Sequence, residues 1–98
     1  MARPERMTLE VPGSVGTGKA ENVFRMRDKT VQISGAFVGS LQLEGSIDGD
    51  DFEPIGAPLT GPGLVLVPMA VGFLRIRTLE LTSGAPKAIA SGFDYRAQ

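Results

Sequence analysis

The stretch PGSVGTGKA, Pro12 to Ala20, has the spacing of a phosphate-binding loop: four residues separate Gly13 from Gly18, and Lys19 follows. In such a loop, backbone N–H groups cradle the phosphates and the lysine reaches the β and γ oxygens. A Ser or Thr directly after the lysine then holds Mg²⁺. Here that position is Ala20, which has no oxygen to offer. The chemistry also needs a parallel sheet with an apolar strand ending in a carboxylate for the metal. No run of four apolar residues in this chain ends in Asp. So short a chain also cannot supply the helical crossovers that parallel strands require. The stretch is expected to be a flexible glycine loop between two strands.

Four carboxylates crowd into DGDDFE, on Asp48, Asp50, Asp51 and Glu53. Oxygen-rich turns can bind Ca²⁺, but Phe52 stands where the fifth-position ligand belongs and no glycine follows it. A solvated acidic turn is the expectation. Paired carboxylates can also cleave glycosidic bonds, yet nothing in the pattern implies a cleft. The chain has neither His nor Cys, which removes the usual general base, the commonest zinc ligand, every thiolate and any disulfide. Its serines have no histidine to activate them. Trp is absent and Tyr occurs once, so stacking on sugars or bases is poorly served. The expectation is a protein with no catalytic residues, no cofactor and no metal. Arg75 and Arg77 lie two apart on a candidate strand and project from one face. They could grip phosphate or a partner's carboxylates, or pair with Glu44 or Glu80 on an exposed face.

These groups must be positioned by a small scaffold. The chain has 98 residues, of which 42% are hydrophobic, which fits one folded domain with a modest core. With 13 Gly and 7 Pro, many turns between short elements fit better than a few long helices. A domain of this size with no staple gains from burying surface against other copies. The formal net charge is −1, so no global field draws the chain onto nucleic acid. Residues 1–30 are mildly basic and the remainder acidic. MARPERM leads into no apolar h-region, and GLVLVPMAVGFL is too short and too broken by Pro68 and Gly72 to span a bilayer. A soluble product made in the cytoplasm, with no membrane or nucleic-acid partner, is expected.

Period-two patterning runs through most of the chain. Residues 1–7 look like a flexible arm, and residues 8–98 form the domain. Thr8–Val11 reads as a short strand, and Glu21–Arg27 as a strand in preference to a helical turn. Thr30–Phe37 places Val31, Ile33 and Phe37 on one face. Ser40–Ile47 places Leu41, Leu43 and Ile47 inward and Gln42, Glu44 and Ser46 outward. Gly39-Ser40 between them suggests a tight hairpin. Leu64–Pro68 is apolar on both faces, so it is buried or lies in an interface. Phe73–Leu81 sets Leu74 and Ile76 against Arg75 and Arg77. Lys87–Tyr95 carries Ile89, Phe93 and Tyr95 in one phase. Short strands separated by turn signals, with no amphipathic helix, predict an all-β fold: one antiparallel β-sandwich or small barrel, jelly-roll-like.

VQISGAFVGSLQLEGSIDGDDFEPIG (Val31–Gly56) and FLRIRTLELTSGAPKAIASG (Phe73–Gly92) together resemble small β-sandwich structural proteins encoded in tailed-bacteriophage head and tail modules. The resemblance rests on Gly35, Phe37, Gly45, Ser46, Asp48, Gly49, Phe52, Arg75 and Arg77, over about half the chain. Physically, Ser46 and Asp48 can hydrogen-bond turn backbone, Gly49 tolerates positive φ, and Phe52 plugs a sandwich end. The GS-x-DG turn also occurs in discoidin-like sandwiches, but those are longer and carry Trp where Phe52 stands. The phage resemblance implies a mechanical role: a bacteriophage capsid decoration protein, a homotrimer on the virion surface that clamps the major capsid protein and stabilises the capsid. It leaves open a glycan-binding module of the surface or tail, and a tail-tube or adaptor component. Arg3 and Arg6 of the arm, Leu64 and Leu66 of the doubly apolar strand, and Arg75 and Arg77 are the expected capsid or subunit contacts. On that view, deleting residues 1–7 weakens capsid binding more than folding.

Overall fold

The computed structural model describes residues 3–94. Nine strands follow in chain order: β1 (Arg3–Leu9), β2 (Gly16–Thr17), β3 (Glu21–Asn22), β4 (Met26–Ser34), β5 (Phe37–Ser46), β6 (Glu53–Pro54), β7 (Gly63–Val67), β8 (Phe73–Gly84) and β9 (Lys87–Asp94). They form two antiparallel sheets. The front sheet has the order β1-β9-β4-β7, and the back sheet has the order β2-β8-β5-β6 with β3 also on β8. The protein is an all-β sandwich, as the alternating pattern implies. The sheets enclose Leu9, Val31, Ile33, Val67, Ala88 and Ala90 from the front and Leu41, Leu43, Leu74 and Ile76 from the back.

One ribbon builds most of both sheets. In the front sheet, β4 pairs with β9 from Thr30↔Ser91 to Ser34↔Lys87. In the back sheet, β5 pairs with β8, beginning at Phe37↔Gly84. These registers continue one another, so 26–46 and 73–94 form a single two-stranded ribbon that bends at 35–36 and 85–86 and passes from one sheet to the other. The bend depends on glycine. Gly84 has φ +92, and a Cβ there would collide with the Ala36 carbonyl oxygen and lie 2.6 Å from the Phe37 Cα.

This topology corrects the expected hairpin at Gly39-Ser40. The chain does not reverse there. Both residues lie within β5, at two register shifts against β8, which twist and curve the ribbon. The expected loose arm is also corrected. Arg3–Leu9 pairs residue for residue with β9, from Arg3↔Asp94 to Leu9↔Ala88. Met7 and Leu9 turn toward the core, and Leu9 is fully buried. The 7/8 boundary therefore falls inside a strand; Met1 and Ala2 lie outside the described residues. The Gly-rich stretch is loop only in part, because Gly16–Thr17 form β2 and pair with β8. Residues 16–23 run along β8 as one edge, with a one-residue slip between the β2 and β3 registers. Gly18 donates to the Ile76 carbonyl at 2.7 Å, and a Cβ at Gly18 would collide with the Glu10 carbonyl oxygen. Close packing thus explains the glycine.

Candidate functional site

Each strand of the front sheet sends alternate side chains away from the core, and residues paired across strands share a face. The register therefore assembles rows on the outer face. One row is Thr8–Ile89–Gln32–Leu64, the next is Arg6–Ser91–Thr30–Leu66, and a third holds Pro4, Phe93 and Arg27. Leu64 and Leu66 are 71% and 74% exposed, Ile89 39% and Phe93 42%. Four large apolar side chains thus lie on one sheet face among short polar residues, with Arg6 and Arg27 beside them. Single exposed apolar residues are ordinary, whereas several on one face mark a contact surface.

Of the residues expected at an interface, Arg6, Leu64 and Leu66 come together here. Arg3 is exposed opposite Asp94, in the inward phase of β1. Arg75 and Arg77 lie on the opposite side of the molecule, on the outer face of the back sheet, and are engaged internally. Glu44, 5% exposed, accepts from Arg75 Nε at 2.7 Å, and Arg77 approaches its other oxygen at 3.8 Å. The Arg75 guanidinium also stacks over Phe52, 3.9 Å from the ring centroid. Gln42 beside them donates to the carbonyls of Ile55 and Gly56 at 3.4 and 3.2 Å. Gln42, Glu44 and Ser46 point outward as their alternation implies, but they are buried there, not solvated. The 53–59 segment runs along the edge of β5, where its carbonyls accept from Gln42; Arg75 covers Glu44, and Ser46 is held by its own turn. Ile47, expected inward, is 73% exposed where β5 has ended.

The acidic turn is built as a fold element. Ser46 Oγ donates to Asp48 Oδ1 at 2.9 Å, and the N–H groups of Asp50 and Asp51 reach the same oxygen at 2.9 and 3.0 Å. The Gly49 N–H donates to Ser46 Oγ at 2.9 Å. The N–H groups of Asp51 and Asp50, followed by the Ser46 hydroxyl, favour the charged carboxylate and lower its pKa from 3.8 to about 2. A depression of about 380 Å³ lies against this turn, between Ile47, Glu53 and Val71. Among the described residues, no cluster of acidic side chains has the arrangement of a metal site.

The outward placement of Ile89 and Phe93 is not legible from the sequence because their strand is apolar in both phases. Bulk favours Ile89 and Phe93 as the inward set, yet Ala88, Ala90 and Gly92 are the buried ones. Small side chains fit at the centre of the front sheet, and the larger ones are turned out. Tyr95, grouped with them, lies outside the described residues. Lys29 was also missed. It is buried, and its Nζ donates to the Met26 carbonyl at 3.3 Å. Burial holds its pKa below the usual lysine value, against the opposing pull of Asp28.

No protein-family model matches the chain, and no curated protein matches it. Among solved structures, one alignment covers 95% of this chain and 95% of the other, with a TM-score of 0.73. The partner in that alignment is the SPBc2 prophage-derived protein YomS. YomS is 15% identical to this chain, so the two share a fold that sequence comparison alone barely registers. The fold likeness to YomS extends over both sheets and so includes the strands that display the outer apolar face.

Proposed function

We propose that this chain is a non-enzymatic bacteriophage virion structural protein, which associates with itself and decorates the capsid surface, bracing the major capsid protein. The observation that carries this reading is the outer face of the front sheet. Leu64, Leu66, Ile89 and Phe93 are held there by strand register on a rigid scaffold, an arrangement suited to docking on another protein. The shared fold with a prophage-derived protein and the sequence resemblance to phage β-sandwich proteins support the phage setting. The Glu44–Arg75–Phe52 cluster then serves as internal bracing for the back sheet, and the contact face lies on the other side.

Co-sedimentation with expanded capsids of the parent phage tests the reading. The wild-type protein is expected to pellet with capsids and to raise their resistance to heat or chelation. Leu66→Lys with Ile89→Lys should remain folded and stay in the supernatant. A wild-type protein that never associates with particles overturns the proposal.

A further inference from the structure

A sheet edge exposes unpaired N–H and C=O groups, and proteins usually blunt such edges with charge, proline, bulges or very short strands. Three of the four edges here carry such devices. β1 has Arg3, Pro4, Glu5 and Arg6. The β2/β3 edge is split by a register slip into two-residue pieces and carries Glu21. β6 consists of Glu53 and Pro54 alone. The fourth edge, β7, reads Gly-Leu-Val-Leu-Val and has none of them. It pairs with β4 through five consecutive residues on one side, and no further hydrogen bond to another described residue is recorded for it on the other.

We infer that β7 pairs with β7 of a second copy, antiparallel about a two-fold axis at Val65, joining two front sheets into one continuous sheet. Charge matching selects this occupant. An uncharged strand meeting itself strands no charge, whereas β1 would bring Arg3, Glu5 and Arg6 against apolar side chains and Pro4 without an N–H. Register selects the axis. Pairing about Val65 uses all five residues, sets Gly63 against Val67, and puts Leu64 against Leu66 of the other copy on the same outer face. The four leucines then form one cluster, with Ile89 two strands away on each side, beyond Gln32. This inference rests on the self-associating reading above and specifies its contact. A two-fold contact closes on itself, so the unit it builds is a dimer, and a three-fold ring would need a different pair of edges.

The natural chain has no cysteine, which makes a cross-link clean. Opposed residues in an antiparallel pair have Cα atoms about 4.5–5.5 Å apart, within disulfide range. Val65→Cys should therefore give a disulfide dimer under mild oxidation, while Ser83→Cys, on the far end of β8, should not. Light scattering of the wild-type protein should show a dimer. Leu64→Lys with Leu66→Lys changes exposed residues only and should raise the dissociation constant at least about tenfold. A wild-type monomer, a trimer without the Val65→Cys cross-link, or equal cross-linking by both cysteine variants overturns the inference. Capsid binding is read separately. A monomer that still pellets with capsids sinks the β7 contact alone, and a dimer that ignores capsids sinks the virion role alone.

Discussion

Glu44 is the residue on which the back sheet's outer surface turns. Its carboxylate is nearly buried, and the close Arg75 contact compensates for the lost water. Arg75→Ala should destabilise the protein by about 2 kcal/mol in urea unfolding, since a buried carboxylate then loses its main partner. Arg77→Ala should cost far less, because its side chain is half exposed and its contact longer. Asp48 gives a pH signature. Its folded pKa, about 2, lies below the unfolded value of 3.8. The contribution of the turn is thus fully present above pH 3.8 and is lost as pH falls from there toward 2. Thermal melts of Asp48→Asn should show a shallower decline across that window than wild type, from a lower starting midpoint. The turn was legible in the sequence because Ser46, Asp48 and Gly49 act within a few residues of each other. The Glu44 cluster was half legible: β-strand alternation put Arg75, Arg77 and Glu44 on one side, but nothing local announces that Phe52 lies against Arg75 or that 53–59 runs along β5.

At the scale of elements, the bend at Gly84 is the most demanding feature. Gly84→Ala meets both an unfavourable φ and a collision with the facing turn. It should cost about 3 kcal/mol, measured as a shifted denaturation midpoint with an unchanged slope. The strands of the ribbon were legible from their period of two, since Val31, Ile33, Leu41, Leu43, Leu74 and Ile76 all face the core as their alternation implies. The connection between β4 and β5 was not. A glycine between two apolar runs looks the same whether the chain reverses beside itself or crosses to another sheet, and only long-range pairing decides between them. β1 was hidden for a related reason. Proline and alternating charge suggest a loose tail, yet both suit an edge strand, where one side of the backbone makes no ladder bonds.

For the whole molecule, β1 covers the flank of β9 and places Met7 and Leu9 over the core. Deleting residues 1–7 should therefore lower the thermal midpoint by about 10 °C or more, by calorimetry, in addition to any loss of capsid binding. Sandwich architecture was accessible from patterning alone, but the identity of the exposed face was not, because Lys87–Asp94 offers apolar side chains to both sides. The ribbon that bends between the sheets has one more consequence, which concerns how the chain reaches its native state. Joining 46 to 73 requires closing the 47–72 segment, an entropically costly event. From that point each new rung forms next to the last, around the corner and on to 26 and 94, with no second large loop to close. Assembly should behave like a zip fastened at one end, with a single slow start and a fast run, and amides nearest the 46–73 end should gain hydrogen-exchange protection first.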